Sequence, residues 1–93
     1  MNETRKSILV LARRDHAEAM RVASGLTIFG HRVRLVFMDR PVAENAENAA
    51  QAELLELADI APETTVAAQP DLPCLDTARL GATLREADLV ISL

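Results

Sequence analysis

Cys74 is the residue of this sequence with the clearest capacity for chemistry, and it is the one cysteine of the chain. It stands one or two positions ahead of a predicted helix, whose positive end and free N–H groups stabilise a thiolate. Such a thiolate is a nucleophile that can accept sulfur or exchange with a disulfide. The alternative is a buried structural cysteine, because free cysteines are among the most buried residues. The sequence has no C-x-x-C pair, which excludes thioredoxin-type redox chemistry.

A second polar group, Arg13, Arg14 and His16, follows the first predicted strand. The two arginines either bind an anion beside the end of the sheet or are simply solvated. His16 is either a general base or polar contact at that place or a solvent-exposed residue of the first helical turn. Asp39 and Arg40 are expected to pair with each other across the next turn. One cysteine and two separated histidines do not provide the ligands of a metal site within one subunit.

Nucleotide-binding loops are not found in this sequence. Neither G-x-G-x-x-G nor G-x-x-x-x-G-K-[ST] occurs, and the chain has 3 glycines in all. Without glycines after the first strand, the backbone cannot approach a phosphate closely. No Ser-His-Asp spacing supports a hydrolytic triad. We therefore expect no cofactor.

Strand-like and helix-like segments alternate along the chain and predict the order β-α-β-α-β-α-β. Asp15 begins the first helix and Gly30 ends it, Pro62 ends the second, and Asp76 or Thr77 caps the third. The predicted strands are 7–12, 32–38, 64–68 and 88–93. The second predicted helix covers 44–61, and the third continues from its cap to 87. The predicted inward-facing residues are Ala19, Val22, Ala23, Leu26 and Phe29 on the first helix, Ala46, Ala50, Leu54, Leu57 and Ala61 on the second, and Leu80, Leu84 and Ala87 on the third.

This alternation predicts one α/β domain over residues 1–93, with three layers (α/β/α) and a four-stranded, mostly parallel sheet. The apolar first strand fits a central position, and the arginines of the second strand fit an edge, which favours the flavodoxin-like order 2-1-3-4. Ligands in such sheets bind at the carboxyl ends of the strands, at the switch point between strands one and three. The loops 13–16 and 69–74 should meet there, with 39–41 beside the first.

The charge is divided along the chain, with a total of −4. Residues 1–41 carry eight basic and four acidic side chains (+4), and residues 42–93 carry two and ten (−8). These are either two solvated faces or complementary patches that attract another copy or a basic partner. Scattered arginines and 2 Phe without Trp or Tyr argue against nucleic-acid binding. A single cysteine, with no signal-peptide pattern and no run of about 18–20 apolar residues, predicts a cytoplasmic protein that does not enter a membrane.

Two stretches resemble the DsrE/DsrF-like proteins. Residues 8–11 followed by 19–38 match a strand and an alanine-rich helix that ends in a Gly-His turn, here Gly30-His31, before the second strand. The closing residues 86–93 are similar to the last strand of that family. The similarity extends over nearly the whole chain, although a second cysteine or an Arg-Gly pair near Cys74 and a fifth strand are missing.

The resemblance implies a role in intracellular sulfur trafficking, with Cys74 as a persulfide (sulfane sulfur) acceptor in the loop after the third strand. The activity would be at most that of a sulfurtransferase-like carrier. It further implies a homo-oligomer, an expectation that the sheet edge at the last strand also supports, and sulfur donor or acceptor proteins as partners. The alternative is a non-catalytic oligomeric or small-ligand-binding module in which Cys74 is structural.

Overall fold

The computed structural model describes residues 5–69 and 71–93. The strands are β1 (Ser7–Ala12), β2 (Arg32–Phe37), β3 (Glu63–Thr64) and β4 (Leu89–Ser92), and the helices are α1 (His16–Ile28), α2 (Ala46–Leu57) and α3 (Thr77–Glu86). The predicted alternation is confirmed, although β3 has 2 residues rather than five. In the described part of the chain, no helix is long and apolar enough to cross a membrane.

All four strands are parallel, in the order β3-β2-β1-β4. The α/β class and the four-stranded parallel sheet are confirmed, whereas the order differs from the predicted 2-1-3-4 because β3 lies outside β2. The arginines of β2 had indicated an edge. Instead, the Arg34 guanidinium donates to the Glu63 carboxylate of β3 at 2.9–3.1 Å. A charged side chain at the start of an interior strand therefore has a partner on the neighbouring strand.

The core is built around β1, whose alternate side chains enter two layers. Ile8 and Val10 pack with α1 and α2 on one face, whereas Leu9 packs with Leu75 and Val36 on the other face, where α3 lies. All of these residues are buried. Right-handed crossovers account for the arrangement, since α1 and α2 both move the chain outward from β1 and α3 returns it to the other side.

Side-chain caps fix where each helix begins. Asp15, Asn45 and Asp76 accept hydrogen bonds from backbone N–H groups three residues on, at 3.0, 2.8 and 2.8 Å. The caps predicted at Asp15 and Asp76 are confirmed. Gly30 ends α1 as predicted, with a φ of +89°. The second helix ends earlier than predicted, because Asp59 (φ 62°) already leaves the helical conformation before Pro62.

Seven residues predicted to face inward are exposed instead: Phe29 (82%), Leu54 (42%), Leu57 (84%), Leu84 (39%), Ala46, Ala50 and Ala61. The helix α1 ends at Ile28, so Phe29 does not continue its inward stripe. In α2 the buried residue is Leu55. Its buried face is therefore turned by about one residue, roughly 100°, from the predicted one.

Candidate functional site

Three chain segments are joined where β1, β2 and β4 end. The backbone N–H groups of Arg14 and Asp15 both donate to the main-chain oxygen of Leu93, at 2.9 and 3.2 Å. The guanidinium of Arg40, which follows β2, donates to the carbonyl of Arg13 at 3.0 Å and also to the carbonyl of Arg14. The segment 39–41 therefore lies beside 13–16, as predicted. The switch point of this sheet lies between β1 and β4, because the chain reverses its direction across the sheet there.

His16 is buried at this edge, with 5% of its surface exposed, which excludes the solvent-exposed alternative. Its ring lies edge-on to Phe37, with 5.1 Å between the centroids, and its Nε2 is 3.4 Å from the carbonyl oxygen of Met38. Desolvation by burial lowers the pKa of His16 from its ordinary value of 6.5, and the nearby charge of Arg40 lowers it further, against the opposing effect of the Met38 carbonyl. The imidazole is thus favoured in its neutral form.

The two arginines after β1 have different surroundings. The Nε of Arg13 is 3.6 Å from the Asp39 carboxylate, in a half-exposed ion pair. Asp39 therefore pairs with Arg13 rather than with Arg40, contrary to the sequence prediction. Arg14 instead lines a polar cleft of about 310 Å³ together with His16 and Arg40. The remaining lining residues of this cleft are Asp15, Ala17, Ala43, Asn45, Glu47 and Asn48.

Cys74 lies in the segment between β3 and α3, and its side chain is exposed. The backbone on both sides of it is held against β3. The N–H of Thr64 donates to the carbonyl of Pro73 at 2.9 Å, and the N–H of Leu75 donates to the carbonyl of Thr64 at 2.8 Å. Leu75 is buried at 7% exposure, and Asp76 then caps α3. The thiol is therefore presented outward from a fixed piece of backbone.

The structure does not bring Cys74 to the arginines of the switch point. Ala12, Phe37, Thr64 and Cys74 form one row across the sheet, each aligned with the next. Three strand spacings of about 4.8 Å separate the ends of this row, which places the backbone of Cys74 roughly 14 Å from the end of β1. The expected meeting of the loops 13–16 and 69–74 is therefore wrong. The cause is the position of β3 at the far edge of the sheet.

Two contributors to the cleft were missed in the sequence. Arg40 was assigned to a local pair with Asp39, although its guanidinium reaches the carbonyls of the loop after β1. Asn45 was not recognised as the cap of α2, which begins beside the cleft. An asparagine three residues before a second polar residue is a usable start signal. Arg40 contacts residues that are far from it along the chain, so no local sequence pattern predicts these contacts.

Among residues 5–69 and 71–93, no three His, Cys, Asp or Glu side chains are grouped as they would be around a metal ion. The chain matches no family model, and neither a curated protein nor a solved structure matches it.

Proposed function

We propose that this protein is a small sulfur carrier in which Cys74 accepts sulfane sulfur as a persulfide. The observation that carries the proposal is the exposure of Cys74 on a backbone that is hydrogen-bonded to β3 on both sides. A cysteine whose role is to fill the core would be expected to be buried. A carrier must instead present its sulfur to two different proteins, first the donor and then the acceptor.

The choice of sulfur as cargo is supported by the resemblance to the DsrE/DsrF-like proteins, in which the corresponding loop carries the acceptor cysteine. A cytoplasmic location, inferred from the single cysteine, would keep the thiol reduced. The arginines Arg13 and Arg14 have no part in this proposal, because they lie across the sheet from Cys74.

The proposed step is an exchange at sulfur. The Cys74 thiolate attacks the terminal sulfur of a donor persulfide R–S–SH. A new S–S bond forms on Cys74 while the donor S–S bond breaks, and R–S⁻ leaves with the bonding electron pair. The products are Cys74–S–SH and the donor thiolate, so no external oxidant or reductant is needed. Delivery to an acceptor thiol repeats the same exchange in the other direction.

Mass spectrometry of the intact protein tests this proposal directly. After incubation with a low-molecular-weight persulfide, the wild-type protein should gain the mass of one sulfur atom, and dithiothreitol should remove it. Cys74→Ser should gain none, and it is a matched control because the chain has 1 cysteine. A native protein that takes up no sulfur and whose thiol does not react with iodoacetamide would contradict the proposal.

A second function is favoured by one specific observation, the cleft that Arg14, His16 and Arg40 share where α1 and α2 begin. The guanidinium groups of Arg14 and Arg40 and the positive ends of two helices attract small anions, against the carboxylates of Asp15 and Glu47 that line the same cleft. A neutral imidazole has one N–H group, and that of His16 faces the Met38 carbonyl, so His16 shapes the cleft but donates no hydrogen bond to an oxyanion. We infer that, in this alternative, the domain is a binding module for a small oxyanion.

Titration with inorganic phosphate, followed by ¹H–¹⁵N NMR, tests the second function. The signals of residues around Arg14 should shift and saturate, and Arg14→Gln should weaken binding. Arg13→Gln is the matched control, since it removes an equal charge from the same loop but outside the cleft. An equal loss of phosphate affinity in the two variants would mean that binding depends only on the net charge of the loop.

A further inference from the structure

A hollow of about 200 Å³ lies between the end of α3 and the amino-terminal ends of β1 and β2. Leu9 of β1 forms its floor, and Thr83 and Ala87 form its roof on the helix side. Both roof residues have short side chains, so α3 does not fill the space above the strand. The lining is mainly apolar. An engineered apolar cavity of about 150 Å³ binds benzene, so this hollow is large enough for a six-membered ring.

Polar side chains stand at one end of this hollow. Ser7 and Arg32 lie opposite each other in the register of β1 and β2, and Leu9 and Arg34 form the next aligned pair on the same face of the sheet. The Ser7 hydroxyl and both guanidinium groups are therefore on the side of the sheet that α3 covers, where they line the hollow.

The two arginines differ in their charge balance. Arg34 is balanced, because it donates to the Glu63 carboxylate at 2.9–3.1 Å and its Nη1 is 4.0 Å from the Glu86 carboxylate. Arg32 takes part in none of the ion pairs found within residues 5–69 and 71–93. An anionic group at this end of the hollow would therefore pair with Arg32 without breaking an existing ion pair.

A second, polar hollow of about 310 Å³ adjoins the first and shares Ser7 and Arg32 with it. Arg5, Lys6 and Asp88 complete its lining. The Asp88 carboxylate accepts a hydrogen bond from the N–H of Ser7 at 2.9 Å. Three cationic side chains thus face one carboxylate that already has a partner, which gives this end of the sheet a positive potential. An apolar space that ends at a basic one is what a molecule with an apolar body and an anionic group requires.

We propose that the hollow beneath α3 binds a small carboxylate whose apolar body is about the size of a benzene ring. The body lies on Leu9, and the carboxylate accepts hydrogen bonds from the Arg32 guanidinium and the Ser7 hydroxyl. Sheets of this class bind ligands at the carboxyl ends of their strands. The proposed site is at the opposite edge, away from Cys74 and from the cleft at Arg14, and it is independent of both proposed functions.

Titration of the full chain with benzoate, followed by ¹H–¹⁵N NMR, tests the proposal. Signals of residues around the hollow should shift and saturate. Benzamide, which is neutral, and acetate, which lacks the ring, should each bind about tenfold more weakly or worse. Arg32→Gln should weaken benzoate binding by about tenfold or more and leave benzamide binding unchanged. Arg85→Gln is the matched control, since it removes an equal charge from an exposed position of α3 outside the hollow.

Ala87→Leu tests the apolar part of the site, because a larger side chain in the roof occupies the space of the ring. It should abolish benzoate binding, and circular dichroism verifies that the variant folds. No saturable shift in the millimolar range would overturn the proposal, as would shifts confined to the cleft around Arg14. Equal affinities for benzoate and acetate, or equal losses in Arg32→Gln and Arg85→Gln, would also overturn it, because binding would then depend on charge alone.

Discussion

At the scale of single residues, His16 links the cleft to the stability of the fold. Its ring packs on Phe37 in the protein interior, and only the neutral imidazole is compatible with this burial at low cost. In the unfolded chain the same side chain is solvated and has its ordinary pKa of 6.5. The folded and unfolded states therefore bind different numbers of protons at mildly acidic pH, which makes stability depend on pH.

We expect the free energy of unfolding to decrease as the pH falls below 6.5. Above this value His16 is neutral in both states. Below it the unfolded state takes up a proton first, because burial lowers the pKa of His16 in the folded state, and the loss ends once the pH has passed below that folded-state value. Urea unfolding at a series of pH values between about 7 and 5 measures the slope.

His16→Gln should remove this pH dependence, because an amide does not titrate. His31→Gln is the control that keeps His16 in place, and it should retain the slope. A slope that persists in His16→Gln would show that other groups cause it.

At the scale of the elements, the ends of α1 and α2 are built alike. In α1 the N–H of Gly30 donates to the carbonyl of Thr27, and the N–H of His31 donates to the carbonyl of Leu26. In α2 the N–H of Asp59 donates to the carbonyl of Glu56, and the N–H of Ile60 donates to the carbonyl of Leu55. Both are Schellman ends, which require a left-handed residue at the same position. One helix has glycine there, and the other has aspartate with a φ of 62°.

Asp59→Gly should therefore stabilise the protein by about 0.5–1 kcal/mol, since it relieves the left-handed strain and removes a negative charge from a helix C-terminus. Asp59→Ala removes the same charge but keeps the Cβ atom in the left-handed conformation, so it should gain less than Asp59→Gly. The midpoint of urea unfolding at an unchanged m-value measures both variants. An equal gain in both would assign the effect to the charge alone.

These helix ends also show what a sequence can reveal about such a fold. Asp15, Gly30 and Asp76 act within a few residues of their own positions, so their roles were predictable. The contact of Arg34 with Glu63 joins residues from two strands. Because of it, the charge on β2 is compatible with an interior strand, although in the sequence it had indicated an edge strand. Strand order, and with it the separation of Cys74 from Arg14, follows from such distant contacts and could not be predicted locally.

At the scale of the whole molecule, burial is distributed unevenly. The strand β1 contributes four buried apolar residues, Ile8, Leu9, Val10 and Ala12, and pairs on both sides. The helix α1 contributes five buried residues, whereas α2 is attached through Leu55. Local opening requires less free energy where fewer apolar contacts must be broken. Of the two helices that cover one face of the sheet, α2 is therefore attached less firmly than α1.

Hydrogen exchange followed by mass spectrometry should show this order, with α2 exchanging before α1 and β1 last. If α2 exchanged as slowly as β1, the weak attachment inferred from its single buried residue, Leu55, would be wrong.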